Sequence, residues 1–206
     1  SADNVLCVLP MYHSFAWTCA VLYPLSLGAS ITILDAFAPK ETIAAIKDTG
    51  VTIVFGVPPI YNYLSRLGET NDLKNVKTFV SGGAALPQKI AEQFTEKFST
   101  PILEGYGLSE ASPVVALNPY SKTKFCSIGC PLPGVKVKIV NSKGETLPPG
   151  GIGELVVQGP NVMKEYYNLP LESSRALRNG WLHTGDIAYQ DIDGYLFIVD
   201  RLKDML

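Results

Sequence analysis

The side chains with the clearest chemical capacity crowd into EGYGLSEASP, residues 104–113. Tyr106 offers a flat ring on which a base can lie. Ser109 offers a hydroxyl to a phosphate oxygen, and Glu110 is a hard oxygen ligand suited to magnesium carried on a phosphate. Gly105 and Gly107, with Gly82 and Gly83 of VSGGAAL, let backbone come close to a ligand. Further along, GWLHTGD ends in Asp186, and VDRLKD carries Asp200, Arg201 and Lys203. A carboxylate at Asp186 can accept two hydrogen bonds from the vicinal hydroxyls of a ribose. Arg201 can reach ribose or phosphate oxygens. Each feature also has a plainer explanation. The glycines can be turns, Glu110 a solvated acid at a helix start, Asp186 a turn residue just before a strand, and Arg201 part of a solvated face just after the last one.

These residues need elements to hold them. Through the first half, apolar strand-like runs alternate with helical ones. NVLCVLP, ITILD, VTIVFGVP, TFVSGG and PILEGYG predict strands, and helices are predicted over 14–27, within APKETIAAIKDTG, over 59–67 and over 87–98. Continuous apolar strands between helices mean buried parallel β, hence an α/β layered subdomain over 1–119. From 120 to 199 the pattern changes. VKVKIV, GELVVQG and DIAYQDIDGYLFIV are short strands broken by Gly, Pro, Asn and Asp turns. They predict a small antiparallel, barrel-like β subdomain, with Asp193-Gly194 at a hairpin turn. Both glycine-rich runs then lie at carboxyl ends of predicted strands, where open parallel sheets bind ligands.

Composition narrows the function classes. The chain has 206 residues, 47% hydrophobic, 17% charged, with a formal net charge of -2. No basic block suggests a nucleic-acid surface. The longest apolar stretch, FAWTCAVLYPLSL, has 13 residues and contains Pro24, short of the roughly 18 that a spanning helix needs. Four cysteines, Cys7, Cys19, Cys126 and Cys130, provide no complete zinc spacing with His13 and His183. They suit a reducing cytoplasm, so the expected location is cytoplasmic, at most peripheral to a membrane.

Five motifs in order cover nearly the whole chain: LPMYHSFAW, SGGAAL, YGLSEAS, GELVVQGPNVMKEYYNLP with GWLHTGD, and DGYLFIVDRLKD. Together they resemble the adenylate-forming enzymes: acyl-CoA synthetases, adenylation domains of peptide synthetases and beetle luciferases. The resemblance implies ATP or AMP, magnesium, and CoA as co-substrate. It implies that Gly82, Gly83 and Ala84 line the adenine and acyl pocket, and that Tyr106, between Gly105 and Gly107, stacks on adenine. By the same resemblance Ser109 contacts phosphate, where the family usually has threonine, and Glu110 binds magnesium. Asp186 then holds the ribose hydroxyls with help from Arg201. His13 borders the acyl pocket, with Phe15 and Trp17 either beside it or in the core. Lys203 matches the hinge to a C-terminal domain, beginning at 200–206.

The family's Ser/Thr/Gly-rich phosphate loop and its C-terminal catalytic lysine have no counterpart here, so the resemblance predicts an internal fragment, inactive alone. Relatives that activate amino acids place an aspartate near MYHSFAW, where a buried ammonium needs a partner. Residues 12–20 contain no acid. The expected substrate is therefore an uncharged carboxylic acid, fatty or aromatic, and the expected parent a fatty acid–CoA ligase. Alternatives are an amino-acid-activating fragment, a nucleotide-binding module without catalysis, and an interaction domain whose turns mimic the motifs.

Overall fold

The apolar runs of the first half become five strands: β1, Asn4–Cys7; β2, Ser30–Ile33; β3, Ile53–Gly56; β4, Thr78–Ser81; and β5, Ile102–Gly107. They pair in the order β2-β1-β3-β4-β5, each pair parallel. A computed structural model describes residues 2–201, and of Arg201 only the backbone. Lys203, the expected hinge residue, lies outside the described residues. The contacts divide the chain into two units. One is the chain up to Gly105 with Tyr120–Cys126; the other is Tyr106–Pro119 with the chain from Ser127 onward.

In the first unit a π-helical segment, Ala16–Leu22, continues as α1, Tyr23–Ser26. It is followed by α2, Pro39–Asp48; α3, Pro58–Leu67; and α4, Gln88–Phe98. Prolines open α2 and α3, where the missing N–H costs nothing. Alternate strand residues Leu6, Val54, Phe79 and Ile102 face Ile46 of α2, Tyr61 and Leu64 of α3, and Phe94 of α4 in one cluster. The rings of Phe79 and Phe94 lie 4.8 Å apart, and Tyr61 meets Phe94 edge-on at 5.5 Å. Val5, Phe55, Val80 and Leu103, on the intervening positions, are buried too. Burial on both faces explains why these strands read as unbroken apolar runs. The Tyr61 hydroxyl donates to the Val80 carbonyl at 2.6 Å, and burial pushes its phenol far above the usual range.

In the second unit β6, Val114–Leu117, pairs antiparallel with β7, Cys130–Pro131. An antiparallel sheet holds β8, Lys136–Val140; β9, Gly153–Gln158; β10, Leu177–Arg178; β11, Trp181–Gln190; and β12, Leu196–Arg201. Its order is β10-β11-β9-β8, with β12 also on β11. A helix that the sequence did not signal, α5 (Pro170–Ala176), precedes β10. The β11–β12 hairpin has Gly194 at φ +88°, and Asp191 Oδ1 accepts the N–H groups of Asp193 and Tyr195 at 3.0 and 2.9 Å. Leu155, Val157, Leu182 and Leu196 are fully buried in the core of this unit.

Two local expectations are corrected. Asp186 does not precede a strand but lies within β11, and Asp200 and Arg201 do not follow the last strand but end it. Among the described residues no helix is long and apolar enough to cross a membrane.

Candidate functional site

The second unit gathers several of the expected residues. Leaving β5 at Tyr106 and Gly107, the chain makes a short 3-10 turn, Ser109–Ala111, before β6. Gly107 is required sterically: a Cβ there would sit 2.1 Å from the Pro113 carbonyl oxygen. The Leu108 N–H closes the loop onto that same oxygen at 2.9 Å. From the other side, Asn161 Nδ2 donates to the carbonyls of Ala111 and Val114, and the Met163 N–H donates to the Glu110 carbonyl. The turn is thus braced by backbone and amide contacts, leaving Ser109 exposed and Glu110 half-buried. The Tyr166 hydroxyl donates to Glu110 Oε1 at 2.8 Å. Burial, with the Glu110 carboxylate as acceptor, pushes the Tyr166 phenol up to about 12. Tyr166 is itself seated by its N–H on Ser173 Oγ of α5, at 2.8 Å.

The Tyr106 hydroxyl donates to the Asp186 carboxylate. Asp186 is only 5% exposed, and across the hairpin its register partner is Arg201. What places it is an irregularity in β11. Against β9, His183 pairs with Val156 and Ile187 with Glu154, so Thr184, Gly185 and Asp186 together oppose Leu155. Such a bulge re-aims side chains. Gly185 takes φ +73°, a conformation that glycine adopts at little cost. Side chains replace the missing ladder bonds. Thr184 Oγ1 donates to the Leu155 carbonyl at 2.7 Å and accepts the Asp186 N–H at 3.1 Å. The Gly185 N–H donates to Glu154 Oε1 at 3.1 Å, and His183 Nδ1 lies 2.7 Å from Glu154 Oε2.

The first unit holds the other expected residues. The strand order places β1 between β2 and β3, so chain progression reverses at β1. Ligand crevices form beyond the carboxyl ends of the strands at such a point. A cleft of about 200 Å³ lies there, lined by Leu9, Pro10, His13, Phe15, Val57 and Gly83 among others. Phe15 packs edge-on against Phe55, with centroids 6.1 Å apart, and a Cβ on Gly82 would meet the Phe15 ring at 3.2 Å. His13 is exposed, and its Nδ1 accepts the Phe15 N–H at 3.2 Å. Trp17 is half-exposed and is not among the residues lining the cleft; Ala84, next to Gly83 in sequence, is exposed. Glu104 is 7% exposed, and its Oε1 accepts the Leu86 N–H at 2.8 Å. Burial pushes the Glu104 carboxyl up to about 7, against the effect of that hydrogen bond. The bond ties β5 to the loop carrying Gly82, Gly83 and Ala84.

Among the participants that carried no expected role are Glu104, Glu154, Tyr166 and Thr184. Glu104 had a signal, an acid following the apolar PIL. Glu154 and Tyr166 lie within the motif GELVVQGPNVMKEYYNLP, but nothing in it indicated their partners, which lie 29–31 and 56 residues away. Among the described residues no three His, Cys, Asp or Glu side chains cluster as a metal set. Glu110 is instead a lone carboxylate with one oxygen fixed by a hydroxyl. That fits magnesium, which is commonly bound by one or two carboxylates plus substrate phosphates and water.

A family model described as AMP-binding enzyme matches residues 1–167, and the chain belongs to this family of adenylate-forming enzymes. A long-chain-fatty-acid–CoA ligase of Bacillus subtilis (strain 168) is 40% identical over 209 residues, covering 100% of this chain and 37% of that protein. A feruloyl-CoA synthase of Amycolatopsis sp is 36% identical over 210 residues, covering 100% of this chain and 43% of that protein. The solved O-succinylbenzoate coenzyme A synthetase from Bacillus subtilis, in complex with ATP and magnesium ion, superposes with a TM-score of 0.91. It is 28% identical and covers 98% of this chain and 42% of that one. The chain therefore spans less than half the length of each of these relatives.

Proposed function

We propose that this chain supplies the nucleotide site and part of the acyl pocket of an AMP-forming acid–thiol ligase. A carboxylate oxygen attacks the α-phosphorus of ATP, and the bond to the β-phosphate breaks, releasing pyrophosphate. A CoA thiolate, its proton lost to solvent or base, then attacks the acyl carbon, and AMP leaves with the electrons of the broken C–O bond. The observation that supports this most is Tyr106, at the end of β5 just before the turn that carries Glu110, hydrogen-bonded to a buried Asp186. In this assignment the Tyr106 ring lies on adenine, between Gly105 and Gly107, while Asp186 accepts from the ribose hydroxyls and Arg201 assists by donating to ribose or phosphate oxygens. Ser109 contacts phosphate. Glu110, oriented by Tyr166, would hold magnesium, which when bound offsets phosphate charge. The chain's own contribution is positioning and charge stabilisation.

The acyl group is assigned to the cleft of the first unit, bordered by His13, Phe15 and Gly83, with Trp17 flanking it in sequence. Its lining offers Leu9, Pro10, Phe15 and Val57 and no carboxylate, which favours an uncharged tail. A fatty acid is the first assignment. An aromatic acid is the second, favoured by the likeness to a feruloyl-CoA synthase.

The test uses the full-length protein. Calorimetric titration with AMP and with a non-hydrolysable long-chain acyl-adenylate analogue is compared with Asp186→Ala. The analogue is expected to bind more tightly than AMP, and Asp186→Ala to weaken both. A folded Asp186→Ala with unchanged affinities refutes the nucleotide site. ATP–pyrophosphate exchange with palmitate against ferulate separates the two acyl assignments. The 206-residue chain alone is expected to show no exchange.

A further inference from the structure

We propose that Glu154 is a positioning residue that aims Asp186 at a ribose by holding the bulge of β11 through Gly185 and His183. The proposal rests on the assignment of Asp186 as the ribose ligand.

Glu154 is the second residue of β9 and pairs across the sheet with Ile187, the first residue after the excursion. Its side chain is 16% exposed and reaches Gly185, one of the three residues that lack regular partners on β9, and the His183 ring. One carboxylate oxygen takes the Gly185 N–H, and the other meets the His183 ring. The same carboxylate therefore grips the strand just before the bulge and within it. Arg178 Nη2, 3.6 Å away and 51% exposed on its side chain, adds a weaker contact. An exposed pair of that kind contributes little by itself.

The geometry gives this carboxylate work that a packing residue would not have. Gly185 has no side chain and an unusual φ, and a Cβ there would meet nothing within 4 Å. Van der Waals contact does not fix its conformation, so the hydrogen bond to Glu154 is what pins it. Beside it, Thr184 Oγ1 accepts the Asp186 N–H and donates to the Leu155 carbonyl of β9. Removing the Glu154 acceptor leaves a part-buried N–H unpaired and frees the bulge to slide toward regular pairing. That motion carries Asp186 away from the Tyr106 hydroxyl. Ribose recognition then fails with the ligand residue still present.

The experiment titrates AMP and 2′-deoxy-AMP into the full-length protein as wild type, Asp186→Ala, Glu154→Leu and Glu154→Gln. Amide hydrogen exchange over residues 183–187 accompanies each. Glu154→Leu is expected to weaken AMP about tenfold, the worth of one lost hydrogen bond to a charged group. It should also draw the AMP to 2′-deoxy-AMP ratio toward one and speed exchange at Gly185 and Asp186. Glu154→Gln retains a carbonyl oxygen for Gly185 and an amide for the His183 ring, and should restore most of all three. A folded Glu154→Leu with wild-type affinity and ratio overturns the proposal. Should that variant not fold, Glu154→Gln decides. If it loses ribose discrimination as fully as Asp186→Ala, these hydrogen bonds are not the cause. If Asp186→Ala itself binds AMP normally, the ribose assignment falls. Exchange at Gly185 and Asp186 then still upholds or overturns the hold of Glu154 on the bulge.

Discussion

At the scale of single residues, the least expected group is Glu104, a carboxyl buried at the start of the very stretch that looked chemical. Its folded value of about 7 lies above the ordinary 4.5. Between those values the folded chain keeps a proton that the unfolded chain has released. Its stabilising effect is complete below about pH 4.5 and is lost as pH rises through about 7. Glu104→Gln keeps the carbonyl acceptor for Leu86 but cannot ionise. Urea midpoints of wild type should therefore fall relative to this variant between about pH 5 and about pH 8. Parallel curves would contradict a buried, proton-binding Glu104. Tyr166→Phe removes only the hydroxyl that holds Glu110. We expect half-saturation by magnesium in the exchange reaction to rise about tenfold, as when other outer partners of metal ligands are removed. An unchanged magnesium curve would show that Glu110 needs no such support. Tyr106, Glu110 and Asp186 stood out in the sequence as candidates because their residue types suit a base, a metal and a ribose, and the structure joins Tyr106 to Asp186. The bonds that orient them were not legible, because they join residues 56 and 80 positions apart and leave no trace in local spacing.

At the scale of elements, the parallel strands and their helices were legible because burial on both faces produces unbroken apolar runs. Phe94 shows what that core contributes. It is fully buried between Tyr61, Phe79 and Phe98. Phe94→Ala should cost about 3–5 kcal/mol of stability, read from denaturant unfolding. The bulge in β11 was not legible as part of a strand. Thr-Gly-Asp carries turn chemistry, and the sequence suggested a turn just before a strand where the structure has an excursion within one. Glycine inside a strand pattern marks such a feature. Gly185→Ala meets no steric neighbour, so only the positive φ opposes it. A loss of about 1–2 kcal/mol is expected, with a correspondingly lower urea midpoint. A larger loss would mean that the bulge is constrained by more than its backbone.

For the whole molecule, the change from parallel α/β to antiparallel β was visible in turn spacing. The strand order was not, because no periodicity says that β3 pairs beside β1. That order leaves β2 as the first strand of the parallel series, with Ile33 at 55% exposure. Leu25, Trp17 and Tyr23 of the neighbouring helical segment are exposed at 60%, 47% and 46%. Exposed apolar surface of this kind promotes association. The 206-residue chain alone should therefore self-associate, and the double variant Leu25→Lys, Ile33→Lys should scatter less light at equal concentration. Equal scattering would place the sticky surface elsewhere.

The bond from Tyr106 to Asp186 joins residues 80 positions apart. A ribosome adds residues from the amino end, so the turn bearing Ser109 and Glu110 is synthesised long before the strand that carries Asp186. The hydrogen bond itself can form only after β11 has emerged and bulged against β9. On the ribose assignment proposed above, a nascent chain lacks this contact with nucleotide until residue 186 has been added and β11 has paired.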